Sequence, residues 1–181
     1  VLPNIVLIGF MGCGKSSVGR RIAALTGHRF VDTDEMVVSR TGRSITEIFA
    51  EHGEGHFRDI ETAALRELIG TSPIVLATGG GIVLREENRT VLHQIGFVVW
   101  LDAAPEVLFE RVSRNRKRPL LHTSDPRATF DELLASRRHI YEAAADFRID
   151  STTASHDDVA SAVLEQAQRF CAPREEDGFG S

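Results

Sequence analysis

Glycine, lysine and serine fall together in Gly9-Phe-Met-Gly-Cys-Gly-Lys-Ser-Ser17 at a spacing suited to holding a polyphosphate. Gly9, four residues, then Gly14-Lys15-Ser16 is the P-loop pattern, with the apolar run Ile5–Ile8 ahead of it and a helical pattern to Leu25 behind. Gly9, Gly12 and Gly14 let the backbone turn so that successive N–H groups face one anion. A helix beginning near Lys15 adds the positive end of its dipole. Lys15 supplies a point charge for the β- and γ-phosphates, and the Ser16 hydroxyl is a natural ligand for Mg²⁺. The plain alternative is a Gly-rich strand-to-helix turn that binds nothing; strand before and helix after favour a nucleotide.

Asp32-Thr33-Asp34 directly follows the second strand pattern, and in an open parallel sheet ligands gather at the carboxyl ends of strands. Phosphoryl transfer to a hydroxyl needs one acid near the metal and another to orient or deprotonate the acceptor, and Asp32 and Asp34 can divide those tasks. Asp32 or Thr33 merely capping the next helix is the alternative, and the two roles are compatible. Thr78-Gly79-Gly80-Gly81 follows the third strand, where bare glycines admit a ligand close to backbone N–H groups; a tight turn would seldom need three. The third strand carries no metal-holding Asp. Asp102 after the fourth superficially fits, but Asp32 is preferred because a second acid stands beside it.

Arg58 has Glu61 at i+3 as a partner, while Arg137 and Arg138 lie late in a helix before Tyr141; each arginine alone reads as a solvated surface charge. Arg111, Arg114, Arg116, Lys117 and Arg118 are too dense for that default. A nucleic-acid patch would interleave aromatics with the charges, which this segment does not, so a lid closing over a triphosphate explains the density better. His52 and His56 have metal-pair spacing, but Gly53 and Gly55 intervene and no Cys or third His is near.

The elements that position these residues alternate short apolar runs with longer helical patterns, the mark of βαβ units and a parallel sheet. Strands are expected at Ile5–Ile8, Arg29–Val31, Ile74–Ala77, Phe97–Leu101 and Phe147–Ile149. Between the second and third, Glu35–Arg40, Ile45–His52 and Phe57–Ile69 read as three helices, with Ser44-Ile-Thr-Glu47 a capping box. Three helices in place of one crossover suggest an inserted lobe for the second substrate, over residues 33–62. Residues 113–125 read as a mobile lid, Asp125-Pro126 starts a helix to about Ala144, and 172–181 as a disordered tail, leaving one domain over 1–171.

With 42% hydrophobic and 26% charged residues over 181 positions, the composition is that of an ordinary globular domain. A net charge of −5 gives no global pull toward nucleic acid or anionic membrane, and no run approaches a membrane span. Val1-Leu-Pro-Asn4 has no charged n-region and does not read as a signal peptide. Cys13 and Cys171 make no metal or redox spacing, so reduced thiols in the cytoplasm are expected. Cys13 occupies a P-loop position where a small residue is enough, although the helix end and Lys15 could activate a thiolate there.

Taken in order, GFMGCGKSS, VDTD, GRSITEIF, FRDIE, TGGG, KRPLL and SRRHIYE resemble the shikimate kinases from about residue 4 to 170. The resemblance implies a P-loop, nucleoside-monophosphate-kinase-like α/β fold: a five-stranded parallel sheet flanked by helices. It implies transfer of the ATP γ-phosphate to the 3-hydroxyl of shikimate, in aromatic amino-acid biosynthesis. Carried onto this chain, the amides of Gly12, Cys13, Gly14, Lys15, Ser16 and Ser17 hold phosphates together with the Lys15 side chain, and Ser16 with Asp32 holds one Mg²⁺. Asp34 binds the acceptor hydroxyls and serves as base; Arg58, Arg137 and the Gly79–Gly81 turn, the Gly80 amide above all, hold the carboxylate. Phe49 and Phe57 wall the substrate pocket, Arg118 reaches the phosphates from the lid, and Arg111 lies near the adenine. Guanidinium forks suit a planar carboxylate, and an arginine on the γ-phosphoryl offsets transition-state charge.

One departure is the neutral stretch Ser151-Thr-Thr-Ala-Ser155, where many members of that family are basic; adenine contacts there stay unassigned. A gluconate-kinase-like or nucleotide-kinase-like enzyme is the alternative on the same fold, and a catalytically silent nucleotide-binding module the alternative in a different class. A silent module would be expected to have lost Lys15, Asp34 or Arg118, and all three are present. Shikimate and ATP are the expected partners, with no nucleic acid or membrane, and the protein is expected to be a monomer.

Overall fold

A computed structural model describes residues 2–114 and 123–171; residues 115–122 of the segment 113–125 expected to be a lid, Arg118 among them, and 172–181, expected to be a tail, lie outside the described residues. Five strands, β1 (Ile5–Ile8), β2 (Arg29–Asp32), β3 (Ile74–Ala77), β4 (Phe97–Asp102) and β5 (Phe147–Asp150), form one sheet in the order β2-β3-β1-β4-β5. Every neighbouring pair is parallel, with Ile5 beside Val75 on one side and Phe97 on the other. Central β1 and its neighbours β3 and β4 are buried along their whole length, as expected where helices cover both faces, whereas the edge strand β5 alternates between half-buried and exposed.

The helices are α1 (Lys15–Thr26), α2 (Thr33–Thr41), α3 (Ile45–Arg66), α4 (Glu86–Ile95), α5 (Pro105–Ser113), α6 (Pro126–Ala144) and α7 (His156–Cys171). The chain leaving β1 runs toward β2, while the chain leaving β4 runs away toward β5. Such divergence opens a crevice at the carboxyl ends of the strands, where β1 hands over to the P-loop. Gly9 makes the first step possible: a Cβ there would stand 2.4 Å from the Leu101 carbonyl oxygen on β4.

The main difference from the sequence expectation lies between β2 and β3. The separate helices expected at Ile45–His52 and Phe57–Ile69 are one element, α3, interrupted only at Gly53, whose φ of 79° and ψ of 173° are open to glycine alone. Gly55 is helical, so a single residue makes the kink, and the helix stops at Arg66 rather than Ile69. Ser44 and Glu47 do form the capping box. Val37 from α2 and Ile48 and Phe57 from α3 bury one another in a small cluster apart from the main core. That cluster holds α2 and α3 beside the crevice.

Candidate active site

Two clefts open side by side at the strand ends. The first is lined by Met11, Gly12, Gly14, Lys15, Ser16, Ser17, Asp32, Asp34, Thr78, Gly79, Gly80, Arg111 and His156. The second is lined by Met11, Asp34, Ile45, Phe49, Glu54, Phe57, Arg58, Glu61, Gly79, Gly80, Gly81, Leu133 and Arg137. Met11, Asp34, Gly79 and Gly80 line both and form the wall between them.

In the first cleft, Gly12 and Gly14 take φ values of 83° and 95°, which only glycine adopts without strain. Gly14 is also the N-cap of α1, so the loop ends at the positive end of that helix. Lys15 Nζ donates to the carbonyls of Gly9 (2.7 Å) and Phe10 (3.0 Å), which holds the ammonium across the loop. The Cys13 side chain is buried beneath, its Sγ 3.5 Å from Lys15 Nζ, and its amide donates to the Phe10 carbonyl. Cys13 is therefore part of the loop's support and is not among the residues that line the cleft.

Asp32 does two jobs with its two oxygens. Oδ1 accepts the amides of Asp34 (2.9 Å) and Glu35 (3.4 Å) as the N-cap of α2, and Oδ2 accepts the Ser16 hydroxyl at 3.0 Å. Capping thus uses Oδ1, while Oδ2 faces the Ser16 hydroxyl. The cap also sets Asp34 in the first turn of α2, facing the shared wall. Asp102, the weaker sequence candidate for a metal, is only 4% exposed and its Oδ2 accepts from Arg138 (2.5 Å) and Arg148 (2.6 Å). Arg138 is accordingly an ion-pair partner, not a freely solvated charge. Arg111 donates to the carbonyls of Gly12 (3.2 Å) and Ser151 (3.5 Å), while Arg114 pairs with Glu110 on the surface and does not line the cleft.

The second cleft is built on Arg58. Its Nη1 lies 2.8 Å from Oε2 of Glu61, a fully buried carboxylate, as the i+3 spacing suggested. Burial pushes the Glu61 carboxyl above the usual glutamate range, with the nearby charge of Asp34 adding to the rise and Arg58 opposing it. The glycines are shaped to these groups. A Cβ on Gly79 would stand 2.8 Å from both Asp34 Oδ1 and Glu61 Oε1, and one on Gly81 would stand 2.1 Å from Arg58 Nη2. The Gly79 amide donates to Thr33 Oγ1 at 2.8 Å, so Gly79 offers a bare Cα rather than a free donor. Among the described residues the Gly80 and Gly81 amides have no partner. Phe49 and Phe57 pack with ring centroids 4.8 Å apart on one side, and Arg137 lies over the Phe10 ring on the other.

Several lining or supporting residues escaped the sequence reading. Tyr141, fully buried, donates its hydroxyl to the Gly80 carbonyl at 2.5 Å and so orients the Gly80–Gly81 peptide. Ser151 is within 3.0 Å of the Asp102 carbonyl and 3.3 Å of the Cys13 carbonyl, bracing the P-loop from below. His156 lines the first cleft near Gly14, and Met11 and Leu133 supply apolar surface. The only available signal for Tyr141 was its place four residues after Arg137 on one helix.

A donor-rich loop for polyphosphate beside a pocket with two arginines and an acid on the dividing wall is a site for phosphoryl transfer. The sequence model of the family described as shikimate kinase matches residues 11–168. The chain belongs to the shikimate kinase family. A shikimate kinase of Thermodesulfovibrio yellowstonii is 43% identical over 169 residues, covering 93% of this chain and 97% of the relative. The structure of a shikimate kinase from Acinetobacter baumannii in complex with shikimate superposes with a TM-score of 0.89 at 38% identity, over 96% of this chain and 97% of that one. A gluconokinase from Sinorhizobium meliloti is also similar, with a TM-score of 0.64 at 22% identity, covering 93% of each chain; that likeness shows the fold alone. Membership makes this a P-loop phosphotransferase with ATP-dependent kinase chemistry and small-molecule substrates. Among the described residues no helix is long and apolar enough to cross a membrane.

Proposed function

We propose that the protein transfers the γ-phosphoryl group of ATP to the 3-hydroxyl of shikimate, giving shikimate 3-phosphate and ADP. The observation that carries this is the position of Asp34 on the wall shared by the two clefts, where a phosphoryl donor in one and a hydroxyl acceptor in the other would meet. The first cleft takes ATP, its phosphates on the P-loop amides and Lys15 and its base toward Arg111. The second takes shikimate, its carboxylate on Arg58, Arg137 and the Gly80 amide and its ring between Phe49 and Phe57. Asp34 accepts the proton of the 3-hydroxyl while that oxygen forms its bond to the γ-phosphorus. The bond from the γ-phosphorus to the bridging oxygen then breaks, and ADP leaves.

Ser16 Oγ and Asp32 Oδ2, 3.0 Å apart at the mouth of the loop, are hard oxygen donors that fit one Mg²⁺. Bound there, Mg²⁺ would neutralise charge on the β- and γ-phosphates. Arg118 is given its place at the transferring phosphoryl by the sequence resemblance, since it lies outside the described residues. A segment 113–125 acting as a lid and a lobe 33–62 binding the acceptor belong to the same proposal, as does a monomer working in the cytoplasm; sedimentation tests the monomer. The function itself is tested by ADP release from Mg-ATP with shikimate, gluconate or a nucleoside monophosphate as acceptor. Release is expected with shikimate alone. Equal release with gluconate would overturn the acceptor assignment, and no release despite ATP binding would favour a silent module.

A further inference from the structure

Glu54 has no part in the transfer chemistry, yet it touches the cation on which acceptor binding is proposed to depend. Arg58 carries five N–H groups along three edges of a rigid plane. Glu54 Oε1 accepts from Nε at 3.3 Å and Nη2 at 3.1 Å, closing one side edge. Glu61 Oε2 accepts from Nη1 at 2.8 Å. A Cβ on Gly81 would stand 2.1 Å from Nη2 and 2.5 Å from both Cζ and Nη1, so the guanidinium packs against the bare Cα of Gly81, beside the Gly80 and Gly81 amides.

We propose that Glu54 is a positioning residue for the acceptor: by holding the Nε–Nη2 edge of Arg58, it fixes the guanidinium plane beside Gly80 and Gly81 in the orientation that a carboxylate meets. The inference rests on the shikimate kinase reading. Glu54, Arg58 and Glu61 stand at i, i+4 and i+7 on one helical face, and the kink at Gly53 makes Glu54 the first residue of the second half of α3. An acid is favoured at such a helix start, which fixes the carboxylate before the guanidinium reaches it. Glu54 is 59% exposed while Arg58 is 12% exposed. An ion pair with one partner so open adds little to stability, so its removal should leave the fold intact and free the guanidinium to turn.

Glu54→Ala and Glu54→Gln, compared with wild type, provide the test; the amide keeps an acceptor oxygen where Ala keeps none. Glu54→Ala should raise the shikimate KM about fivefold, with kcat and the ATP KM changed less than about twofold, because only acceptor orientation is lost. Calorimetric binding of shikimate without nucleotide should weaken by the same factor, and Glu54→Gln should recover most of it. Unchanged shikimate binding in Glu54→Ala overturns the inference, and so does tighter binding in both variants, which would make Glu54 a competitor for Arg58. A fall in Tm with shikimate and ATP KM raised together overturns it in favour of a purely structural role. Wild-type protein that binds no shikimate overturns the kinase reading as well, so the two failures are distinguishable.

Discussion

At Asp34 one carboxylate serves two clefts, and its substitution separates binding from chemistry. Asp34→Asn keeps the size and the place in the first turn of α2, so ATP affinity should be retained while kcat falls about 10²-fold, the usual cost of losing a general base. Steady-state turnover alongside nucleotide titration checks it; undiminished turnover removes Asp34 from the mechanism. Gly81→Ala puts a methyl group where the Arg58 guanidinium lies and displaces it, so the shikimate KM should rise about tenfold with the ATP KM unmoved. Tyr141→Phe leaves the half-buried Gly80 carbonyl without its donor and should cost about 1 kcal/mol in urea unfolding. Burial raises the Tyr141 pKa well above the ordinary tyrosine value, so wild type keeps this donor at every working pH. The place of Lys15 and Ser16 at the start of α1 was legible in sequence because a P-loop is local. The Thr33–Gly79 and Tyr141–Gly80 bonds join residues 46 and 61 positions apart, and no pattern within a window reveals such partners.

Among the elements, α3 carries the most chemistry per turn, and its geometry depends on one residue. Gly53 at φ 79° and ψ 173° has no neighbour within 4 Å of a would-be Cβ, so Gly53→Ala meets backbone strain and no clash. The expected loss is about 1–3 kcal/mol in chemical denaturation, and a loss confined to a few tenths would mean that the kink adjusts freely. The start of α3 was written in Ser44-Ile-Thr-Glu47, and the ends of α1 and α2 in Gly27 and Gly42, both in the left-handed conformation. The continuity of α3 through Gly55 was not legible. Packing of Val37, Ile48 and Phe57 compensates for a weak helix former in a way that propensity alone does not show.

For the whole molecule, the alternation of apolar runs with helical patterns was enough for a parallel sheet, whereas the order β2-β3-β1-β4-β5 is decided by tertiary packing. Burying an acid has a global signature too. Because burial raises the Glu61 pKa above the usual 4.5, the folded state holds this proton more tightly than the unfolded chain does. Its contribution is therefore full below the unfolded value and declines as pH climbs through the raised folded value. The stability of wild type relative to Glu61→Gln should fall with pH from about 4.5 upward, read from urea midpoints; a pH-independent difference would refute it. The wall of Met11, Asp34, Gly79 and Gly80 has an implication for inhibitor design. Two adjacent chambers with one partition can be spanned by one tethered molecule, an adenosine polyphosphate linked to a cyclic hydroxy acid. Such a conjugate surrenders its rigid-body freedom once, so it should bind more tightly than either half alone, with a linker no longer than the phosphate chain it replaces.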